Sequence, residues 1–355
     1  MNKNALLAKE FIQKSKDYTS DLSIGEIDDK HKHILAAAYK EYEDQEKWQN
    51  FRNWSGQSDQ LSPLDLRVEF LRNKVTSRKV LKFLYVKIFR RLVQKFQWST
   101  MLDDYHAIQM IGGEDLLKEN PISQTPNFGN YCLINNVEIN QRWARYIYLL
   151  KRILAEDLVK KNSIWVDIGP FYGGLQGLVK KYVPESKIIL VDFHHQLCRS
   201  YIYLKNLYPD TVHIFPDDVI KYKNLKSLPS SSIMYVPVSY YHLIENEKVD
   251  LASNFFSLGE MRRLHFENYI YSNLFKTASS KYLVNRFVSS PFFEKTYDTD
   301  LTLLDYLDSD SKISYFDIFP IHHYAIYNRE VFGTKGFRNV SSPYFELIIK
   351  QKSSK

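Results

Sequence analysis

The sequence predicts an α/β fold, in which a mostly parallel central sheet with helices on both faces follows a mostly helical region. Two short apolar runs, 164–168 and 187–192, support this prediction because each has the length and composition of a buried strand. A glycine-rich turn and a helix-like run lie between them. Strand, glycine turn, helix, strand and a terminal acid form the first half of a nucleotide-binding βαβ unit.

The turn after the first strand carries Gly169, Gly173 and Gly174. Glycine permits positive φ and lets a ligand lie against bare backbone. The turn lacks the G-x-G-x-x-G of dinucleotide sites, and Asp167 stands two residues ahead of Gly169, which favours a ligand with a cationic head such as S-adenosylmethionine. The loop pattern D-x-G-x-G-x-G is matched except that Phe171 replaces the middle glycine. A buried turn whose glycines serve packing alone would give the same residues.

The second strand ends on Asp192, followed by Phe193. The carboxyl ends of parallel strands meet at one edge of the sheet, so Asp192 is expected beside the glycine turn. A carboxylate there can accept two hydrogen bonds from a ribose diol. We therefore predict that Asp192 and Phe193 contact the cofactor.

Two later strand-like runs, 212–215 and 232–238, compete for the place beside the second strand. The neighbouring strand would supply the wall against the adenine, and the sequence does not choose between the two. Asp217 or Asp218 would suit the adenine amino group, and Pro237 would suit the face of the ring.

A further strand over 249–254 should lie at the switch point beside the first strand, where ligands bind in open α/β sheets. We place Asn254 in the cofactor site and Ser257 in the acceptor site. Glu260 and His242 are candidates for proton transfer. Glu260 could instead be a first-turn carboxylate favoured by a helix dipole, and His242 a surface histidine.

The last part of the chain predicts a fifth strand over 282–287 and two closing strands, 315–327 and 344–350, that end in an antiparallel hairpin. His322 and His323 fall in the first closing strand, where neighbouring side chains point to opposite faces. His322 is the next choice for the base, and His323 is a candidate acceptor contact.

Three regions divide the predicted chain: a helical N-terminal region over 1–118, an acceptor loop and linking helix over 119–161, and the cofactor domain over 162–355. The linking helix is predicted over 138–161. The stretch 72–96 has helical apolar spacing, many basic residues and no acid. Such a helix can rest on an anionic membrane surface or hold a pyrophosphate, although a solvated basic face over a packed apolar one gives the same pattern.

Composition limits the class of protein. The chain has 355 residues, a net charge of +7 and two cysteines, Cys132 and Cys198. Two cysteines provide neither a disulfide framework nor a zinc cluster, and the charge favours an anionic partner. The sequence contains no apolar run of membrane-spanning length and no signal-peptide core at its start, so a cytoplasmic location is expected, with the basic helix as a contact to the inner face of the membrane.

Several motifs together carry a family resemblance. They are Asp167–Gly169 with Gly173 and Gly174, Val191-Asp192, Asp250–Met261, Asn127–Asn130 with the following Arg142 and Arg145, and Tyr282–Arg286. With them the chain resembles the sugar O-methyltransferases found in bacterial surface-polysaccharide gene sets. The resemblance covers residues 115–350, and the Ser-Leu-Gly-Glu-Met element at 257–261 is its more specific part.

The resemblance implies a Rossmann-like class I methyltransferase sheet, S-adenosylmethionine as cofactor and a sugar hydroxyl as acceptor. The acceptor would be a free, nucleotide-linked or lipid-linked glycan. Asn130 and Arg142 join the acceptor contacts on this basis, and Tyr172 of the glycine turn is a further predicted contact. Some sugar O-methyltransferases use a magnesium ion. Asp250 and Glu260 are two acids that could bind one here, but the sequence has no compact cluster of acids that indicates a magnesium site.

Two other functions remain open at this stage. An NAD-dependent nucleotide-sugar enzyme would need the missing G-x-G-x-x-G and a Tyr-x-x-x-Lys pair at its expected place. A non-catalytic protein could bind nucleic acid through the basic helix. Nucleic acid is not the expected acceptor, because the sequence lacks the Asn/Asp-Pro-Pro-Tyr/Phe element typical of nucleic-acid methyltransferases.

Overall fold

The computed structural model describes residues 2–23, 36–40, 42, 44, 48–49, 51–52, 101–129, 131–222, 224–286, 301–309, 311–321 and 344–351. The predicted basic helix 72–96 lies outside these residues, as do Asn130, His322, His323 and the side chain of Glu260. In the part that is described, no helix is long and apolar enough to cross a membrane.

The chain divides into two compact units. The first consists of Met1–Phe51, Ile153–Phe319 and Val340–Lys355, and the second of Arg52–Arg152 and Pro320–Asn339. These bounds differ from the predicted regions, because residues 1–51 belong to the same unit as the sheet. Helix α1, Lys3–Gln13, shows why: its Phe11 is fully buried among the rings of Tyr201, Phe215 and Tyr235.

The second unit contains a short antiparallel hairpin where the sequence predicted the start of a helix. Its elements are α2 Glu114–Glu119, β1 Cys132–Ile134, β2 Val137–Ile139 and most of α3, Gln141–Ala155; residues 101–110 are also helical. Glu138 lies in β2 and accepts hydrogen bonds from the N–H and Oγ of Ser123 at 2.7 and 2.8 Å. Asn140 accepts the N–H of Trp143 at 2.8 Å, so it caps the helix, which therefore begins at Gln141.

Within the residues that the structure describes, the first unit is built on one eight-stranded sheet. Its strands are β3 Ile164–Ile168, β4 Lys187–Asp192, β5 Val212–Ile214, β6 Ser232–Pro237, β7 Leu251–Phe255, β8 Ser280–Asn285, β9 Ser311–Ile318 and β10 Phe345–Gln351. Their spatial order is β5-β6-β4-β3-β7-β8-β10-β9. In this spatial order the first six strands, from β5 across to β8, run parallel to one another. Strand β10 is antiparallel to both β8 and β9. The predicted α/β fold and its closing antiparallel hairpin are confirmed.

Helices pack against this sheet. They are α4 Gly174–Tyr182, α5 His194–Leu207, α6 Arg263–Ile270 and α7 Asn273–Thr277. Strand β3 is buried along its whole length, as expected for a parallel strand covered on both faces. Gly177 lets α4 approach α5 closely, since a Cβ there would lie 3.0 Å from the side chains of Tyr203 and Leu207.

The strand beside β4 is β6, and β5 lies outside it. This observation answers the question that the sequence left open between the two runs. In the register of the sheet, Asp192 at the end of β4 pairs with Pro237 at the end of β6. The centre of the sheet is therefore β4, β3 and β7. After β3 the chain forms β4, β5 and β6 on one side of β3, and then β7 and β8 on the other side.

Candidate functional site

The loop between β3 and α4 is a tight turn of left-handed residues. Gly169 has φ +74°, Phe171 +60° and Gly173 +82°. The Gly169 N–H donates to the carbonyl of Val191 at 2.9 Å, which holds the loop against the end of β4. The turn thus lies at the carboxyl ends of the two central strands, where open α/β sheets bind their ligands.

Phe171 takes the backbone conformation that glycine usually supplies. A non-glycine residue at positive φ costs on the order of 1–3 kcal/mol and persists only where its surroundings hold it. Its carbonyl accepts the Ser200 hydroxyl at 2.7 Å, its N–H donates to the carboxylate of Asp192, and the Arg199 guanidinium lies 5.2 Å from its ring centre. The loop therefore keeps a glycine-like path despite the substitution seen in the sequence.

The loop after β7 lies directly against the glycine turn. A Cβ on Gly169 would collide with the Oγ of Ser257. Ser257, a predicted acceptor contact, therefore lies beside the turn. The short 3-10 helix Leu258–Glu260 follows it at once, which places Glu260 at the same edge of the sheet.

Asp167 does not face this edge as the sequence predicted. It is 1% exposed; Ser253 Oγ donates to one of its oxygens at 2.5 Å and Gln176 Nε2 donates to the other. Burial raises the pKa of this carboxyl well above its usual range. A buried carboxyl whose two oxygens are engaged by Ser253 and Gln176 is unsuited to contact the cationic head of a cofactor.

Asn254 is likewise used inside the fold. Its Nδ2 donates to the carbonyl of Ile168 at 2.7 Å and to Ser257 Oγ at 2.5 Å. Its Oδ1 accepts the N–H of Leu258 at 2.9 Å and Nδ2 of Asn285 at 3.1 Å. The predicted cofactor contact is therefore a clamp that ties the turn after β7 to the end of β3.

Asp192 lies where the prediction placed it, at the end of β4. Its Oδ1 accepts the N–H of Phe193 at 2.8 Å. Burial raises the pKa of Asp192 to about 7, although part of the residue's surface is exposed; hydrogen bonds from the N–H groups of Phe193 and Phe171 oppose the rise, and the charge of Asp21 adds to it. The carboxyl thus changes charge near neutral pH.

The contacts predicted for the adenine differ in their surroundings. Asp217 accepts the N–H of Lys16 at 3.0 Å and donates its own N–H to the carbonyl of Lys14 at 3.1 Å. One of its carboxylate oxygens is therefore engaged by the N-terminal segment. Pro237 is buried at the end of β6, and the ring of Phe193 stacks on that of His195 with centroids 6.0 Å apart.

Tyr172 and Arg142 are two further predicted acceptor contacts. Tyr172 is fully buried, and its ring lies 4.9 Å from that of Tyr203, so this side chain is part of the core and cannot bind an acceptor. Arg142 belongs to the second unit, at the second position of α3.

The two candidate bases occupy different parts of the sheet edge. His242 is exposed on the 3-10 helix Val238–Leu243 after β6, with its Nδ1 3.0 Å from the carbonyl of Ser239. Strands β4 and β3 lie between β6 and β7. The ends of β6 and β7 are thus three strand spacings, roughly 14 Å, apart along the sheet edge.

Asp21 is a residue of this edge that sequence reasoning missed. It is fully buried and accepts hydrogen bonds from the N–H of His194 at 2.8 Å and from the hydroxyl of Tyr39 at 2.8 Å, with His194 Nδ1 at 2.6 Å. Burial alone would raise the pKa of Asp21, but hydrogen bonds and charge from His194 outweigh it and hold the pKa below its usual range. No local pattern marks the residue, because its partner is 173 positions away.

No cluster of three or more His, Cys, Asp or Glu side chains suited to a metal ion occurs among the described residues. Asp250, one of the two acids that left magnesium open, accepts the N–H of Ile164 at 2.7 Å. It precedes β7, whereas Glu260 follows it, so the two lie at opposite ends of that strand.

No protein-family model matches the chain, and no curated protein matches it. Solved structures that resemble it include magnesium protoporphyrin IX methyltransferase (ChlM) from Synechocystis PCC 6803 with bound SAH, at 9% identity and a TM-score of 0.36, over 60% of this chain and 84% of that one. The small RNA methyltransferase HEN1 matches at 13% identity and 0.34, over 61% and 26% of the two chains. The pyocyanin biosynthetic protein PhzM matches at 9% and 0.31, over 59% and 58%. Likeness at this level does not assign an activity to this chain.

Proposed function

We propose that this protein is an S-adenosylmethionine-dependent methyltransferase whose acceptor is a sugar hydroxyl in bacterial surface-glycan synthesis. One observation carries the cofactor part of this proposal: the left-handed glycine turn after β3 lies beside Asp192 at the end of β4. A tight turn and a terminal carboxylate on neighbouring strands suit the two ends of a nucleoside ligand.

The residues at this edge fit such a cofactor. The backbone of the Gly169–Gly173 turn would hold the methionine part, because the turn lies at the carboxyl ends of the two central strands, where open α/β sheets bind their ligands. Asp192 would accept the ribose hydroxyls, and Phe193 and Pro237 would flank the adenine. Asp167 drops out of this set, since its oxygens are engaged by Ser253 and Gln176.

The strand order favours this cofactor over NAD. A dinucleotide-binding sheet of the usual kind continues with a sixth parallel strand in its second half. Here the strand next to β8 is the antiparallel β10. The glycine spacing after β3 also differs from G-x-G-x-x-G.

The resemblance to sugar O-methyltransferases supports the acceptor class. Two of its motifs, Asp250–Met261 and Tyr282–Arg286, contact each other: the Gly259 N–H donates to Asn285 Oδ1 at 3.1 Å, and Asn285 in turn donates to Asn254. Together they hold the 3-10 helix that carries Glu260 beside the glycine turn. Ser257, which directly precedes this 3-10 helix, would contact the acceptor.

Glu260 is the base in this proposal. When bound, the cofactor supplies an electrophilic methyl group on a sulfonium, which leaves as a neutral thioether. A sugar hydroxyl is weakly acidic, and a carboxylate that takes its proton accelerates transfer by roughly 10²–10⁴-fold. His242 lies on the far side of β4 and β3 from β7 and is the weaker candidate.

Replacing Glu260 tests the proposed chemistry. We expect Glu260→Gln to bind S-adenosylhomocysteine as the wild type does but to transfer methyl groups from labelled S-adenosylmethionine to nucleotide-linked and lipid-linked sugars at least 100-fold more slowly. His242→Gln is the matched control and should keep its rate. Full activity of Glu260→Gln would remove this residue as the base, and methyl transfer to RNA instead of to any sugar would overturn the acceptor class.

A further inference from the structure

The N-terminal segment 14–23 lies along the carboxyl ends of strands in the half of the sheet proposed to hold the nucleoside. After β5, Asp217 exchanges hydrogen bonds with the backbone of Lys16 and Lys14 at 3.0 and 3.1 Å. After β6, Ser20 Oγ donates to Ser239 Oγ at 3.0 Å. The residues that the sequence predicts for the adenine, Asp217 and Pro237, lie in the first of these loops and directly before the second.

Asp21 makes the contact after β4. Helix α5 begins at His194 without a side-chain cap of its own. The Asp21 carboxylate fills that place, because it accepts the His194 N–H at 2.8 Å and has His194 Nδ1 at 2.6 Å. A single residue, Phe193, separates this capped position from Asp192.

The environment of Asp21 fixes it firmly. Tyr39 donates its hydroxyl to the same oxygen at 2.8 Å, and the ring of Tyr39 meets that of His195 edge-on, with centroids 5.3 Å apart. The Ser239 N–H reaches the other oxygen at 3.4 Å. Asp21 therefore joins the start of α5 to the loop after β6 from a segment distant in sequence.

We propose that segment 14–23 is the outer wall of the nucleoside end of the cofactor site and that Asp21 is its positioning residue, which holds the start of α5 and with it the Asp192 carboxylate. This inference rests on the proposed function. This one segment is tied to the loops after β4 and β6, which follow Asp192 and Pro237, and also to the loop after β5.

The charge of Asp21 gives the proposal a signature that a purely structural role lacks. The titratable and charged groups that act on Asp192 are Asp21 from the N-terminal segment and Arg199 from α5, with Asp167 and Tyr39 responding to its charge. Asp21 raises the pKa of Asp192, and Arg199 lowers it. Removing the negative charge of Asp21 should therefore let Asp192 ionise at lower pH.

Calorimetric titration with S-adenosylhomocysteine between about pH 5.5 and about pH 8.5 tests this role. For the wild type we expect affinity to rise through about pH 7, as Asp192 ionises. For Asp21→Asn we expect roughly tenfold weaker binding at high pH, since α5 loses its charged cap, and a midpoint at lower pH. Asp17→Asn, an exposed acid of the same segment, is the control and should match the wild type.

A double-variant cycle shows whether Asp21 acts through Asp192. If it does, Asp21→Asn in an Asp192→Asn background should cost little further affinity. The positioning role would be overturned if the losses of affinity from the two substitutions add in full. It would also be overturned if the pH midpoint of binding is the same in Asp21→Asn as in the wild type.

Hydrogen exchange on the wild-type protein keeps the test independent of how the variants fold. S-adenosylhomocysteine should slow exchange in peptides covering 14–23 and 169–173, and leave the edge strand β9 unchanged. If the ligand slows exchange in the glycine turn but not in segment 14–23, this segment is not a wall of the cofactor site, and the proposed function is unaffected. An absence of any binding by the folded wild type would instead remove the proposed function.

Discussion

Two acids at the ends of neighbouring strands, Asp167 and Asp192, take different roles because their surroundings differ. Asp167 is enclosed by Ser253 and Gln176 within the core. Asp192 keeps part of its surface exposed at the sheet edge, where backbone N–H groups limit the rise of its pKa to about 7. The first carboxyl is a buried part of the fold with a raised pKa, and the second can carry charge at physiological pH.

The Asp167→Asn variant should lose less stability than the wild type as the pH rises to neutral. Burial raises the pKa of Asp167 in the folded state above its unfolded value of about 4, so the folded protein keeps a proton that the unfolded chain releases. Its contribution to stability therefore falls as the pH rises above about 4. Asparagine has no such proton, and once the Gln176 amide turns over, the Nδ2 of asparagine can donate to Gln176 Oε1, a buried atom without a hydrogen-bond partner in the wild type.

Chemical denaturation at about pH 5 and about pH 8 measures this difference. The free energy of unfolding of Asp167→Asn, relative to the wild type, should increase between the two values. Asp167→Ala should lose about 2–4 kcal/mol at both, because it leaves a cavity and unpaired partners. An Asp167→Asn variant as unstable as Asp167→Ala at the higher pH would mean that the carboxyl is ionised.

Residue type and strand position could be predicted from the sequence, but the direction of each side chain could not. Asp192 was placed correctly because it is the last residue of its strand. Nearness in sequence to the turn suggests a site role for Asp167 and Tyr172, and the end of a predicted strand suggests one for Asn254. Each is instead used by contacts with residues far along the chain. Such contacts leave no local pattern.

At the scale of elements, the glycine turn and the loop after β7 fit together through one close approach. Gly169 has a left-handed backbone and faces Ser257, so it is restricted both by its φ and by its neighbour. The turn and its glycines could be predicted from the sequence. The close approach of Ser257, which leaves no room for a side chain at position 169, could not.

Gly169→Ala should weaken the binding of S-adenosylhomocysteine at least tenfold. The added Cβ meets Ser257, and the left-handed conformation itself costs about 1–3 kcal/mol. Adding Ser257→Gly should restore part of the affinity, since it removes the collision and leaves the backbone cost. Calorimetry on folded variants measures both.

Gly259→Ala serves as the matched control for that pair. A Cβ there would lie 3.5 Å or more from its neighbours, which is ordinary contact. Unchanged binding is expected. If Gly169→Ala bound as well as this control, the turn would not approach the ligand.

The periodic parts of the chain could be predicted at the scale of the whole molecule. The parallel strands, the helix after Asp192 and the closing antiparallel hairpin follow from apolar runs of strand or helix length. The hairpin β1–β2 was missed because each strand has only three residues, and the linking helix was begun too early. The N-terminal residues were assigned to a region of their own, because burial of Phe11 and Asp21 against the sheet unit depends on residues far along the chain.

Calorimetric titration of the wild-type protein with S-adenosylhomocysteine, with NAD as the parallel ligand, tests the central proposal most directly. We expect one-to-one binding of S-adenosylhomocysteine with a dissociation constant on the order of micromolar, about −8 kcal/mol, and no heat from NAD. Binding of NAD together with no binding of S-adenosylhomocysteine by the folded protein would contradict the assignment of the glycine turn and Asp192 to a methyltransferase site.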